Sequence, residues 1–351
     1  NQDHQTKKKI LKPLNLTLEE RIRFLLKSYK DHQKPFRILF VGDLHIAIGV
    51  SRIMESKGLS YPFLKIKDHF DRYDFVFANL ENAISNRGKE YKNKSFRFQA
   101  HPKFANSLKT FKLDVVSLAN NHMLDFNIIS LKDTLYHLKK LNIKYSGAGL
   151  NLNYARKPAI LNVGKRKIYI LSYCERKPKE FYAKKNKPGT APFKLSLIKK
   201  DIQKYKTSNN FVLVSVHWGL EKINYPLKSH IKAAHKIIDY GADGIIGHHP
   251  HVPQGIEIYK NKPILYSLGN FIFGYWNSKY QNNIIVSFTY GEKKIEEIEI
   301  FSIAGKKRPN YYQTYIFKGK KAKRNLKLIQ KFSRKFKTKI KIIGNKGVIS
   351  L

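Results

Sequence analysis

Short apolar segments of the chain end repeatedly in polar side chains. Five segments rich in Val, Ile, Leu and Phe each lead into Asp, Glu, Asn or His. Runs of this length and composition are typical of buried β-strands. Because open α/β sheets bind ligands at strand carboxyl ends, the polar residues there are the first candidates for a functional site. The five segments are residues 36–42, 74–78, 113–118, 211–216 and 244–247.

Between these segments, the spacing of the apolar residues changes to that of helices. Residues 129–141 and 230–240 repeat their apolar positions at helical spacing. Alternating strands and helices predict one α/β domain, which we assign to residues 37–290.

The two flanks of this domain are basic. Residues 1–36 are predicted to be a basic lead-in with one helix, because Thr17 and Glu20 have the spacing of a capping box. Residues 291–351 are predicted to be a basic C-terminal extension. No acidic residue follows Gly305, and four apolar residues there have helical spacing. Such a stripe suits either a membrane surface or anionic polymer, or a helix docked on the body with a solvated basic face. The stripe consists of Leu326, Ile329, Phe332 and Phe336.

The overall charge is extreme. The sequence has 68 Lys and Arg against 25 Asp and Glu, a formal net charge of +43. This excess predicts attraction to nucleic acid, anionic lipid surfaces, or acidic glycans and polypeptides. Codon usage of an AT-rich genome is a second explanation, since Lys is accompanied by abundant Ile, Asn, Tyr and Phe. Cys174 is the only cysteine, so an intrachain disulfide is excluded.

No apolar run reaches the roughly 18 residues that a membrane span needs. We therefore expect a cytoplasmic protein or one peripheral at the inner membrane. Because the sequence starts at Asn1 without Met, the alternative is a cell-surface protein whose anchor segment is absent from this chain.

The polar residues at the strand ends form a ligand set for divalent metal ions. Three imidazoles occur within four residues, at His248, His249 and His251. Asp43 and His45 alternate by two, so an extended strand points both to the same side. Imidazole, carboxylate and amide oxygen together suit Mn, Fe or Zn. The candidate ligands are Asp43, His45, Glu81, Asn121, His217, His249 and His251.

Seven such groups suit two divalent ions about 3.5–4 Å apart, which lower the pKa of bound water and clamp a phosphoryl or acyl oxygen. Each residue also has an ordinary explanation, such as a turn aspartate beside a surface histidine. His122 is the candidate proton donor, with Asp125 to orient it. A turn histidine capped by Asp125 is the alternative. His248 is expected to be a supporting or substrate-binding group.

Aromatic residues near these runs are candidates for lining a cleft. Trp218, Tyr275 and Trp276 have this potential, although core or rim packing is the alternative for each.

The motifs in this order resemble the CapA (PGA-cap) family of bacterial capsule and poly-γ-glutamate synthesis proteins, within the calcineurin-like metallophosphatase superfamily. The resemblance covers roughly residues 37–290 and leaves both flanks unmatched. It is carried by Gly42-Asp43, Asn79-Leu-Glu81, Ala119-Asn-Asn-His122 with Asp125, Gly147-Ala-Gly149, Ser215-Val-His217-Trp-Gly-Leu-Glu221, Gly247–His251 and Tyr266-Ser-Leu-Gly-Asn270.

The resemblance implies a four-layer αββα sandwich of the metallo-dependent phosphatase type, with a dinuclear site at the sheet edges. It implies that Glu81 bridges the two ions, where other metallophosphatases carry Asp. It also makes Glu221 and Asn270 substrate-binding candidates, beside His248 and Trp218. The first ion would be held by Asp43, His45 and His251, and the second by Asn121, His217 and His249.

Three functions compete at this stage. The first is a metal-dependent hydrolase that cleaves a phosphoester of an anionic cell-surface polymer or its precursor, with the γ-glutamyl amide as second choice. The second is a non-catalytic capsule-assembly protein that binds a polyanion, or an anionic membrane surface through residues 306–341. The third is a nucleic-acid phosphodiesterase, which we disfavour because no nucleic-acid-binding motif accompanies the charge.

Overall fold

The computed structural model describes residues 17, 19–20, 35–273, 282–304 and 312–351. The chain divides into two units, residues 1–35 and 36–351. In the first unit the backbone N–H of Glu20 donates to Thr17 Oγ1, and the Thr17 N–H donates to Glu20 Oε2, at 3.2 and 2.8 Å. The predicted capping box is therefore confirmed. Tyr275 and Trp276 lie outside the described residues.

The described part of the second unit alternates strands and helices along the chain. The strands are β1 Phe36–Leu44, β2 Phe75–Leu80, β3 Ala83–Ile84, β4 Gln99–Ala100, β5 Val115–Ser117, β6 Lys144–Ser146, β7 Ala148–Gly149, β8 Ala159–Val163, β9 Arg166–Cys174, β10 Gly189–Thr190, β11 Asn210–His217, β12 Gly244–His248, β13 Ile256–Tyr259, β14 Lys262–Leu265, β15 Asn270–Ile272, β16 Asn282–Tyr290, β17 Ile295–Ala304, β18 Tyr315–Ile316, β19 Lys341–Ile343 and β20 Lys346–Ser350.

Seven α-helices accompany these strands in the described residues. They are α1 Ile48–Lys57, α2 Lys67–Phe70, α3 Asn127–Lys140, α4 Leu152–Ala155, α5 Leu195–Tyr205, α6 Lys228–Asp239 and α7 Gly319–Ser333. Short 3-10 turns span Tyr61–Phe63, Pro102–Lys109, Lys179–Phe181 and Arg334–Phe336.

Two large sheets organise these elements. The first has the order β19-β20-β17-β16-β1-β2-β5-β6, with β15 beside β1 and β18 beside β17. The second has the order β13-β14-β12-β11-β9-β8. Strands β1, β2, β5 and β6 run parallel, as do β9, β11, β12 and β14. Their carboxyl ends therefore meet along one edge of each sheet.

The sheets pack face to face between two helical layers. Phe40 and Phe77 of the first sheet share one buried cluster with Leu213 and Ile246 of the second. Helices α1 and α3 cover the outer face of the first sheet, and α5 and α6 cover that of the second. Strands buried on both faces read as continuous apolar runs, which explains the pattern of β1. The predicted four-layer αββα sandwich is confirmed.

The described residues after 290, namely 291–304 and 312–351, are part of this body. Strand β17 pairs antiparallel with β16 on one side and β20 on the other. Leu326 and Ile329 of α7 are buried in the core between the sheets. The boundary predicted at residue 290 is therefore not a structural boundary. The helix is docked with a solvated basic face, so its apolar stripe is not available to a membrane. Within the described residues, no helix combines the length and apolar character needed to cross a membrane.

Candidate metal centre

The strand ends of both sheets bring the predicted ligands to one place. Register places Asp43 of β1 beside Asn79 of β2, and His217 of β11 beside His248 of β12. Gly42 permits the close approach of the neighbouring chain, because a Cβ at this residue would lie 1.9 Å from the Gly269 carbonyl oxygen. A glycine is required here by contact and not by turn geometry.

The same requirement explains the glycine before the histidine cluster. A Cβ at Gly247 would lie 2.0 Å from the carbonyl oxygen of Tyr266. His249 and His251 then take positive φ angles of 96° and 58°, which turn the chain sharply after β12. Positive φ at residues other than glycine is costly and is concentrated at functional sites.

Glu81 lies at the centre of the cluster. Its side chain is fully buried. Oε1 lies 3.2 Å from Nε2 of His217, and Oε2 lies 3.9 Å from Nδ1 of His251. The two carboxylate oxygens therefore face different histidines, one on each side.

The group on the His251 side contains a second carboxylate. Nδ1 of His251 lies 3.2 Å from Oδ2 of Asp43 and 2.9 Å from Oδ1 of Asn270. Asp43 is fully buried, and its Oδ1 accepts a hydrogen bond from Asn79 Nδ2 at 2.8 Å. Asn270, predicted to bind substrate, thus contacts a predicted metal ligand.

The group on the His217 side combines imidazole with amide oxygen. Nε2 of His217 lies 2.8 Å from Oδ1 of Asn121. The rings of His217 and His249 have centroids 4.7 Å apart. Among the described residues, Glu81, His249 and His251 each offer one ligand atom, and these atoms lie within 4.8 Å of one another.

Burial sets the charge of this cluster. It lowers the pKa of both His217 and His249 well below the ordinary value, so both rings are neutral, the form that binds metal. Burial raises the pKa of Glu81 well above its ordinary value, and the charge of Asp43 raises it further. For His251, burial is outweighed by Glu81 and Asp43, which raise the pKa to about 10, so an ion bound here would displace its proton. Burial of Asp43 is likewise outweighed by the adjacent rings of His248 and His251, which hold its pKa well below the ordinary value.

His45 is the predicted ligand that stands apart from these contacts. Its ring packs against Phe98 and Phe273, at centroid distances of 4.5 and 4.7 Å. Its Nδ1 accepts a hydrogen bond from the Ala47 N–H at 3.3 Å. Burial, with smaller contributions from the charges of His122 and His251, lowers its pKa to about 3. His45 is thus near the cluster and neutral.

His122 and Asp125 form a buried pair beside the cluster. Nδ1 of His122 lies 2.6 Å from Oδ2 of Asp125. Asp125 is held in turn by the Phe98 N–H at 2.9 Å and by Lys94 Nζ at 2.5 Å. Burial lowers the pKa of His122, and Asp125 opposes this effect.

The other predicted substrate-binding residues have different surroundings. His248 is buried, with Nδ1 3.4 Å from Asp43 Oδ1, so it supports the cluster. Glu221 is exposed in the loop after β11. Trp218 is only 1% exposed and donates from Nε1 to the Tyr266 carbonyl oxygen at 3.1 Å. The prediction that Trp218 lines a cleft is wrong, because it is a core residue beneath the site.

Three contributors to the site were not predicted. Lys94 contacts Asp125, and its Nζ also lies 2.6 Å from the Asn121 carbonyl oxygen. Asn79 links Asp43 to His217 Nδ1, which lies 3.3 Å from Asn79 Nδ2. Asn120 donates to Asn79 and accepts from the His122 N–H. Asn79 lies two residues before Glu81, so alternation along the strand carried a usable signal for it, whereas Lys94 lies in a loop without one.

The donor set fits a divalent metal ion. Neither oxygen of Glu81 and neither ring nitrogen of His249 has a hydrogen bond within the described residues, although all four atoms are buried. Buried polar atoms without partners are costly and rare in folded proteins. A cation bound among them removes that cost, and imidazole with carboxylate is the chemistry that Mn, Fe and Zn accept.

Comparison with known proteins identifies the family of the chain. Residues 37–275 match the family model described as bacterial capsule synthesis protein PGA_cap. The chain belongs to this family. The CapA resemblance carried by the sequence motifs is therefore confirmed.

Two curated relatives show the extent of the similarity. The PGA biosynthesis protein CapA of Bacillus subtilis is 34% identical over 266 residues, which cover 75% of this chain and 69% of the relative. The capsule biosynthesis protein CapA of Bacillus anthracis is 28% identical over 268 residues, 74% of this chain and 65% of the relative. About a third of each relative thus lies outside the match. The crystal structure of a hypothetical protein from Thermus thermophilus aligns with a TM-score of 0.49 and 20% identity. The alignment covers 77% of this chain and all of that one.

Proposed function

We propose that this PGA_cap protein is a metal-dependent hydrolase that cleaves a phosphoester in an anionic cell-surface polymer or its precursor. The observation that carries the proposal is the position of Glu81. This buried carboxylate directs one oxygen toward His217 and the other toward His251. A carboxylate so placed is suited to be shared by two ions.

Two groups of side chains would hold the ions. Asp43 and His251, with His45 as the third member, would bind one ion. Asn121, His217 and His249 would bind the other. When bound, such a pair supplies an activated water and withdraws charge from phosphoryl oxygens.

The proton chemistry belongs to His122. Because Nδ1 of His122 faces Asp125 at 2.6 Å, Nε2, which lies 3.4 Å from Asn121 Nδ2, is the nitrogen that would give a proton to the leaving oxygen. This requires the doubly protonated ring, whose charge the Asp125 carboxylate stabilises while it fixes the orientation of the ring. Lys94 and the Phe98 N–H hold Asp125 in place. The stacking of Phe98 on His122, with centroids 4.3 Å apart, limits the ring further.

Metal content tests the ligand set first. Mass spectrometry of the Mn²⁺-loaded wild type should find about two ions per chain. The double variant His249→Ala/His251→Ala should lose both. His101→Ala/His137→Ala, which removes two histidines from another part of the fold, is the matched control and should keep them. A wild type that takes up no ion would contradict the proposal.

Turnover tests the role of His122. With bis(4-nitrophenyl) phosphate as substrate, His122→Ala should lower kcat by about 10²–10⁴-fold at unchanged metal content. Loss of metal from this variant would instead mean that His122 is a ligand. A γ-glutamyl anilide tests the amide alternative in parallel. A metal-loaded wild type that cleaves neither compound would contradict the hydrolase proposal.

A second candidate function is non-catalytic binding of a polyanion. The basic face of α7, together with the residues that follow the helix, supports this function. Residues 318–341 expose many Lys and Arg and contain no acidic residue. Changing Lys320, Lys323 and Lys327 to Ser should then weaken polymer binding and flatten its dependence on salt. Unchanged binding would exclude this face.

A further inference from the structure

A groove lies beside the His122–Asp125 pair. It is formed by the loop containing Tyr91–Lys94 and the loop containing Lys177–Glu180, and has a volume of about 550 Å³. Lys94 links the groove to the site, since its Nζ lies 3.1 Å from Nδ1 of His122. Molecules in the groove would therefore lie next to the proposed proton donor.

The acidic side chains around this groove already have partners. Glu180 accepts a hydrogen bond from the Tyr91 hydroxyl. Glu175 is paired with His230 at 2.9 Å, and Glu90 with Arg97 at 3.2 Å. Burial of Glu175 is outweighed by His230, with a smaller contribution from the charge of Arg176, so its pKa is lowered. The carboxylates of Glu180 and Glu90 are occupied by Tyr91 and Arg97.

Three cations of that loop have no such partner. The side chains of Arg176, Lys177 and Lys179 make no hydrogen bond or ion pair within the part of the chain that the structure describes. Arg176 is half-buried, whereas the two lysines are exposed. Arg176 interacts with the charge of its neighbour Glu175 but makes no hydrogen bond to it, so its guanidinium donors can bind an external oxyanion.

Strand register brings Arg176 close to the metal-binding cluster. Cys174, the last residue of β9, pairs with His217 at the end of β11. The Glu175 N–H donates to the His217 carbonyl oxygen at 3.0 Å, so Arg176 follows directly. Its backbone oxygen accepts from the Tyr182 hydroxyl at 3.1 Å, which anchors the loop.

We infer that this groove binds the anionic groups of the polymer next to the bond to be cleaved. Lys177 and Lys179, which line the groove, take oxyanions along it, and Arg176, the residue before Lys177, takes the one nearest the cluster. The ligand is a chain of carboxylates or of phosphates, which share the oxyanion chemistry that Arg and Lys recognise. The inference rests on the proposed function, since it names the substrate subsite of the same centre.

Binding of two labelled oligomers to the full Mn²⁺-loaded chain tests the groove. The probes are a γ-linked glutamate decamer, which offers carboxylates, and a linear polyphosphate of ten units. Lys177→Ser/Lys179→Ser should raise Kd for the true ligand class by about tenfold and flatten its salt dependence. Lys200→Ser/Lys228→Ser, an equal charge change on the outer helices α5 and α6, should change Kd less than about twofold. Arg176→Gln should weaken binding as well, and Arg176→Lys should restore part of it.

The outcomes separate the sources and the two proposals. Weaker binding of one oligomer alone identifies carboxylate or phosphate as the ligand, and weaker binding of both supports the shared chemistry. Groove variants that bind as tightly as the Lys200/Lys228 control would overturn the inference, and so would a wild type that binds neither oligomer. Because binding is measured without turnover, the two proposals can fail separately. If the groove substitutions weaken binding but the wild type cleaves nothing, only the hydrolase proposal is refuted.

Discussion

Ion pairs of this protein differ in how strongly each charged residue depends on its partner. Lys94 and Asp125 form an ion pair with side chains only 12% and 0% exposed. Without Lys94, the buried Asp125 keeps the contacts of His122 and the Phe98 N–H but loses its ammonium partner, whereas an exposed pair contributes little. Lys103 and Glu55 form such an exposed pair, with side chains 51% and 57% exposed.

This contrast gives a prediction for stability. Lys94→Met should lower the free energy of unfolding by about 3–5 kcal/mol, because Asp125 loses its charged partner. Lys103→Met should cost less than about 1 kcal/mol. Urea unfolding of metal-free protein measures both. Adding Asp125→Asn to Lys94→Met should recover part of the loss, and equal effects of the two lysine substitutions would contradict the argument.

The residues that sequence reasoning located, and those it missed, differ in a physical way. Asp43, Glu81 and His217 follow apolar strands, and parallel strands bring such positions together by topology. Lys94 lies in a loop between β3 and β4 whose path no period encodes, so only the fold shows that it reaches Asp125. Trp218 was misplaced because it follows His217 directly, and successive side chains of a strand point to opposite sides. Its neighbour faces the cluster while its own ring packs on Tyr266.

Helix α7 shows how one element can be basic in composition and still belong to the core. Leu326 is fully buried in the cluster between the sheets, and Lys327 next to it is exposed. The charge of the segment resides on the solvent face, and the apolar stripe on the other. Composition alone therefore suggested an extension where the structure has an integral helix.

The docking of α7 predicts opposite results for neighbouring residues. Leu326→Ala should lower the free energy of unfolding by about 2–5 kcal/mol through lost burial and a cavity. Lys327→Ala should change it by no more than about 0.5 kcal/mol. Chemical denaturation of the full chain provides the comparison. A small effect of Leu326→Ala would mean that the helix is not held by the core.

The short helix α2 carries a titrating contact with the sheet. The His69 ring packs edge-on against Phe301 of β17 at 4.6 Å, and its Nε2 lies 3.0 Å from the Tyr73 hydroxyl. Burial lowers the pKa of His69 from 6.5 to about 4. Below about pH 6.5, His69 of the unfolded chain therefore binds a proton, whereas His69 of the native state stays neutral until the pH approaches 4.

Stability contributed by neutral His69 is present above about pH 6.5 and is lost as the pH falls toward 4. His69→Gln removes this titration and keeps a polar group near Tyr73. On acidification from pH 7.5 to 5, the wild type should lose more unfolding free energy than His69→Gln, as measured by urea unfolding. His101→Gln, at an exposed position, is the control and should follow the wild type. Parallel pH profiles for His69→Gln and the wild type would show that this histidine does not titrate on unfolding.

At the scale of the whole molecule, the family match ends before the folded unit does. The PGA_cap match stops at residue 275. The first sheet continues beyond it, since β16 pairs with β17 from Asn282 to Tyr290. Helix α7 then closes the core between the sheets. The candidate metal ligands thus occupy one part of the chain, while the fold that positions them needs the rest.

A chain ending at Tyr290 should therefore fail to fold cooperatively. It would expose the whole paired edge of β16 and the apolar core that Leu326 and Ile329 cover, and unpaired edge strands of this length promote aggregation. Near-UV circular dichroism and thermal unfolding, beside the full chain carrying the same tag, measure the difference. We expect loss of the near-UV signal and of metal retention together, since β1, which carries Asp43, lies directly against β16. A monomer that unfolds cooperatively and still binds its metal would mean that the strand ends hold the centre without the C-terminal part of the sheet.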